Sequence, residues 1–135
     1  MSRSSRSINM LEPVEPVATI EPMNWGEFLN EFAMRNYNRR ARFDVYRVNG
    51  DVEEEEKEAR LEGLALRDGG KRKNIEVIRI DRSEKHADKI KDIIPNVIGV
   101  AVQYDTDGSE GALEITDSEN TLISLRLESR VDGVS

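Results

Sequence analysis

The chain has 135 residues, with twenty Lys and Arg against twenty-seven Asp and Glu and a formal net charge of −7. That size fits one domain, or one domain with a tail, and the acidic balance disfavours general binding to nucleic acid or an anionic membrane. There is no cysteine and only one histidine, which excludes disulfides, thiolate metal sites, Fe–S clusters and cysteine nucleophiles, and leaves a His-based metal site short of ligands.

Residues 1–22 read as a flexible leader. Ser2 to Ser7 is rich in Ser and Arg, and Pro13, Pro16 and Pro22 recur at short spacing. Proline removes backbone donors and disfavours helix before it. The alternative is that Val14, Val17 and Ile20 lie along the sheet as an added edge. No apolar stretch reaches signal-peptide or membrane-span length; the longest, Val97 to Val102, has six residues, which points to a cytoplasmic protein.

A single domain is expected over residues 23–130, followed by a short tail at 131–135. It opens with a helix. Asn24 and Glu27 have the spacing of a capping box. Trp25, Phe28, Leu29, Phe32 and Ala33 then form one apolar stripe at helical period.

Beyond Asn38 the period changes to two. Ala41, Phe43 and Val45 predict a strand, and Asn49-Gly50 a turn. The acidic run Glu53 to Glu56 reads as a solvated hairpin loop. Ala59 to Leu66 predicts a second strand whose phase shifts at Gly63, the mark of a β-bulge. Asp68-Gly69-Gly70 turns the chain into a third strand, Ile75 to Ile80, again with a phase break. Val97 to Tyr104 is the strongest strand and reads as central. Leu113-Ile115 and Ile123-Leu125-Leu127 complete six. Ser83 to Ile93 is consistent with a short helix capped by Ser83, or with a loop.

A helix followed by about six strands on hairpin-length turns is an α+β pattern. The expected architecture is an amphipathic helix packed on a strongly bent, mainly antiparallel sheet or partly closed barrel.

Several segments in order resemble a known family. They are Trp25-x-x-Phe28-Leu29-x-x-Phe32, Leu61-Glu62-Gly63-Leu64, Ile94-Pro95, Ala112-Leu113-Glu114-Ile115 and Thr121-Leu122-Ile123-Ser124-Leu125. Together, from about Met23 to Glu128, they resemble the bacterial family called domain of unknown function 5335. The resemblance implies a small α+β domain of bacterial type and brings no catalytic residue or cofactor. The chain departs from the family pattern over Ser83 to Lys91, where the family is short and acidic and often carries a His near the Ile-Pro pair. His86 lies eight residues before Ile94 and takes no family role.

The candidate chemistry is sparse. Asp105-Thr106-Asp107-Gly108-Ser109-Glu110 has calcium-loop residue types, but its glycine falls at position four where an EF-hand needs it at six. A hairpin turn is the better reading, and no metal or cofactor is expected. No P-loop, dinucleotide fingerprint, nucleophile elbow or zinc-protease motif is present. His86 reads as a surface residue. Arg35, Arg39, Arg40 and Arg42 place four cations in eight residues beside Tyr37 and Phe43. This is the candidate patch for an anion or acidic partner, against the plainer reading that it balances Glu53 to Glu56. Lys71-Arg72-Lys73 is a second basic cluster.

The reading that follows is a non-catalytic binding or structural module, with a protein partner or a homodimer through a sheet edge, and with neither nucleic acid nor membrane as partner. The alternative is a binder of a small anion or phosphate, or a small enzyme, with a carboxylate- or arginine-based pocket.

Overall fold

The computed structural model describes residues 17–82 and 86–129. Val14, the possible cap Ser83 and the tail at 131–135 lie outside the described residues. The helix α1 spans Trp25–Arg35. Among the described residues there are nine strands: β1 Val17–Thr19, β2 Arg40–Tyr46, β3 Val52–Glu54, β4 Ala59–Gly69, β5 Arg72–Asp81, β6 Asp88–Ile94, β7 Val97–Tyr104, β8 Glu110–Asp117 and β9 Leu122–Leu127. All pairings are antiparallel.

The order across the sheet is β1-β7-β8-β9-β2-β4-β5-β6, with β3 added on β2. The expected α+β class, with its N-terminal helix, is present. The strongly bent or partly closed barrel of about six strands is not. Among the described residues the sheet has nine strands and is neither closed nor strongly curled: β1 pairs there only with β7, and β6 only with β5. Closure would need a ladder between those two ends. β6 carries Asp88, Lys89, Lys91 and Asp92, and charges of this kind blunt an edge strand.

The three strands beyond six are short or polar. β1 sits among prolines in the segment read as leader, and it pairs Val17, Ala18 and Thr19 with Gln103, Val102 and Ala101. Ile20 continues the contact by donating its N–H to Val100 O at 2.9 Å. β3 lies within the acidic run read as loop. Within the ambiguous stretch the residues from Asp88 onward are strand, with Ile90, Asp92 and Ile94 opposite Arg79, Val77 and Ile75.

The start of α1 also differs from the capping-box expectation. Residues 22–24 form a 3-10 turn, and Asn24 makes no side-chain cap hydrogen bond. Proline at the start of that turn presets its φ, and Asn24 N–H is spent on Glu21 O at 2.8 Å. The apolar stripe does face the core. Trp25, Leu29, Phe32 and Ala33 are buried, and α1 packs mainly on β4. The core joins them to Leu61, Leu64, Ile75, Val77, Val100, Val102, Leu113, Ile115 and Leu125.

The two phase breaks have different causes. A bulge between Leu61 and Gly63 resets β4, as the sequence indicates. β5 has no bulge against β6. There the inward row is Ile75, Val77 and Arg79, and the buried arginine takes the place of an apolar residue, while Ile78 and Ile80 face the other way.

Candidate functional site

The four arginines of the candidate patch are engaged by other residues of the fold. Arg35 grips Glu110 in two-point fashion, Nε to Oε1 at 3.1 Å and Nη2 to Oε2 at 2.7 Å. Arg39 is buried and donates to Asn36 Oδ1, Glu110 O and Glu128 O. Arg40 pairs with Glu128 at 3.0 Å. Arg42 lies on the opposite face of β2 from Ala41 and Phe43, 3.3 Å from the buried Asp44. Three of the four thus tie the end of α1 and the start of β2 to β8 and the residue after β9. Sequence spacing could not show this, because Glu110 and Glu128 are about 70–90 positions away.

Glu110 is the hub of that lock. Burial pushes its carboxyl up. Hydrogen bonds from Arg35 and Asn36, with the charges of Arg35 and Arg39, outweigh burial and hold it below its ordinary value. A carboxylate so lowered adds stability that is full above its unfolded value and lost as pH falls through the folded one. Glu110→Gln is therefore expected to flatten the acid limb of the stability profile below about pH 4.3. Melting temperature followed against pH checks this; parallel acid limbs in variant and wild type would remove Glu110 from the lock.

The calcium-like loop is a hairpin turn. Asp105 N–H donates to Ser109 O, Gly108 N–H to Asp105 O, and Ser109 Oγ to Asp107 Oδ1 at 2.6 Å. Glu110 turns to Arg35 instead of joining Asp107. Among the described residues no group of three or more His, Asp or Glu side chains is placed to hold a metal, and no helix is long and apolar enough to cross a membrane. His86 is exposed and lies 3.5 Å from Asp88.

The second basic cluster has a different setting. Lys71, Arg72 and Lys73 line an open cleft of about 620 Å³ with Pro22, Trp25, Asn96, Val97, Ile98 and Ser118. Each wall has a local cause. The β4–β5 turn needs Gly70 in the left-handed region, φ +88, which glycine adopts without cost. Asp68 pins the turn by accepting from Gly70 N–H at 3.0 Å and from Lys73 Nζ at 3.0 Å. Those hydrogen bonds hold the Asp68 carboxyl below the usual range. Lys73 is thereby neutralised. Lys71 and Arg72, at the tip, are in no ion pair among the described residues.

The facing wall comes from the two-residue link between β6 and β7. Asn96 takes a positive φ of 54. Its N–H donates to Asn74 Oδ1 at 3.1 Å, and its carbonyl accepts from Ser118 N–H at 2.9 Å. This network joins β5 to the β8–β9 turn beneath the cleft. An irregularity in pairing between Val97 and Gly99 buries Val97 and leaves Ile98 56% exposed. The Trp25 indole closes the apolar side, its Nε1 donating to Ile20 O at 3.0 Å.

The arrangement presents two cations beside an apolar wall. It offers a grip for an anionic group carried on an apolar body. The lining brings no histidine or carboxylate next to Ser118. Two other clefts differ. One of about 660 Å³ between α1 and β4 is lined by Met34, Tyr37 and Leu64, with Glu62 and no cation. One of about 320 Å³ holds Arg40, Arg60 and Arg82 but also Glu58 and Asp81.

No family model, curated protein or solved structure matches this chain.

Proposed function

We propose that this chain is a non-catalytic binding module that receives an acidic segment of a protein partner in the cleft between the β4–β5 tip and the start of α1. The observation that carries this reading is the pair Lys71 and Arg72: adjacent, outside any ion pair among the described residues, and facing Pro22, Trp25, Val97 and Ile98 across one cleft. In a chain of net charge −7, most of the described arginines pair with neighbouring carboxylates. A cation left unpaired beside apolar surface is where an incoming carboxylate gains most. The open shape suits an extended peptide better than an enclosed small ligand. The same charge argues against nucleic acid, since two cations would release few counterions.

Trp25 is the single tryptophan and reports on the site. Titration with a synthetic peptide carrying a Leu between two Glu pairs is expected to shift its emission saturably, and less so at high salt. The double substitution Lys71→Glu with Arg72→Glu is expected to weaken binding roughly tenfold or more. Equal binding by variant and wild type would remove the cleft from the function.

A further inference from the structure

The cleft shares one end of the β7-β8-β9-β2 part of the sheet with the β2–β3 hairpin. Register places Tyr46 opposite Leu122, Leu122 opposite Thr116, and Asp117 opposite Val97. The hairpin tip, residues 47–51, continues past that row. Val97, Ile98 and Ser118 line the cleft beside it.

The hairpin has the complementary chemistry. Val48 is 74% exposed and Val52 is 52% exposed, although both are apolar. Asp51 and Glu54 are exposed and in no ion pair among the described residues, while Arg47 takes Glu53 at 3.3 Å. The tip is held in shape by Arg47 N–H to Asp51 O at 2.9 Å and by Gly50 N–H to Arg47 O at 2.9 Å, with Gly50 at φ +97. It is an ordered projection with an acidic and apolar surface, and the cleft is a basic and apolar recess.

We propose that the partner received in the cleft is a second copy of this chain, entering with its β2–β3 hairpin. This rests on the reading of the cleft as a site for acidic segments. Hairpin and cleft lie at the same end, so two copies meeting end to end about a two-fold axis exchange the contact reciprocally, and the assembly closes as a dimer. Asp51 and Glu54 meet Lys71 and Arg72, and Val48 and Val52 meet Pro22 and Ile98.

A dimer through the β6 edge is the competing arrangement, and its charges oppose it. Along β6, Lys89 and Lys91 share one face, and Asp88 and Asp92 share the other. A two-fold axis normal to the sheet pairs residues of the same face, so no register opposes a lysine to an aspartate.

Sedimentation velocity on the full chain tests the proposal through a charge swap. Wild type is expected to dimerise at low salt and dissociate as salt rises. Lys71→Glu with Arg72→Glu, and separately Asp51→Lys with Glu54→Lys, are each expected to raise the dimer dissociation constant roughly tenfold or more. An equimolar mixture of the two variants is expected to recover the dimer, because one junction is wild type and the other is reversed at both partners. A mixture that stays monomeric, or a wild type that is monomeric at every concentration, overturns the proposal. The acidic-peptide titration then separates the two claims. If the peptide binds the cleft of a monomeric chain, self-docking falls and the cleft reading stands; if it does not bind, both fall.

Discussion

Phe32→Ala is expected to unfold a large part of the population at moderate temperature. Phe32 is fully buried on the inward stripe of α1. Its ring sits 5.8 Å from that of Phe28 in a tilted arrangement, and it belongs to the cluster holding Leu61, Val100, Leu113 and Leu125. Deleting such a ring costs about 3–5 kcal/mol, against roughly 5–15 kcal/mol for a whole domain. At this size that lowers the melting temperature by about 10–20 °C. Met34 lies two residues on along the same helix and is exposed, so Met34→Ala is expected to stay within about 0.5 kcal/mol of wild type. Thermal unfolding by circular dichroism reads both. A Phe32→Ala protein melting within about two degrees of wild type would move the stripe from core to surface.

Arg79→Ala is expected to be the most damaging change to a charged residue. Arg79 is 1% exposed and lies on the core face of β5. Its Nη1 donates to Ala41 O at 3.0 Å and to Glu55 Oε1 at 2.8 Å, and Nη2 reaches Glu55 Oε2 at 3.1 Å and Asp92 Oδ2 at 3.3 Å. The guanidinium also covers the Phe43 ring at 4.6 Å. One side chain thus joins β2, the β3–β4 loop, β5 and β6. Alanine leaves a cavity, removes a donor from Ala41 O and frees the loop at Glu55, whose carboxylate also accepts Phe43 N–H at 2.9 Å. Truncating so large a buried side chain to alanine costs about 2–5 kcal/mol through the cavity it leaves. Glu55 and Asp92 keep access to water, so neither is entombed as a bare charge. Arg79→Met, which restores volume, is therefore expected to recover at least about half of the loss. Urea unfolding of the two variants decides. If Met is as damaging as Ala, the guanidinium contacts carry the cost; if both match wild type, Arg79 is no lock at all.

These two residues also mark what the sequence could and could not reveal. Phe32 was legible because its spacing from Trp25, Phe28 and Leu29 follows helical period, and burial obeys that pattern. Arg79 was hidden because it occupies an inward position that pattern reading assigns to an apolar side chain, and its partners come from three other segments. β3 and β6, which pattern reading missed, and β1, which it offered only as an alternative edge through Val17 and Ile20, share a cause. β3 and β6 are held by backbone ladders while their side chains are mostly charged, and β1 is held by β7 and the Trp25 contact at Ile20. Hydrophobic alternation carries no signal for such edges. The openness of the sheet follows from the same strands, since it depends on which edges remain unpaired.

The candidate site divides in a similar way. The cluster Arg35 to Arg42 was visible as composition, but the carboxylates that engage Arg35 and Arg40 lie far along the chain. Lys71-Arg72-Lys73 was visible as a basic cluster. Its apolar wall was not, because Pro22, Trp25 and Ile98 reach it from separate elements. The signal that distinguishes the two clusters is partnering, which depends on the fold.

The most direct test of the cleft as the recognition surface is a residue-resolved NMR titration of the full chain with the acidic peptide. Amide shifts are expected to concentrate at Lys71, Arg72, Asn96, Ile98 and Ser118 and at the Trp25 indole, and to vanish in the Lys71→Glu, Arg72→Glu protein. Shifts concentrated at Arg35 to Arg42, with the cleft unchanged, would contradict it.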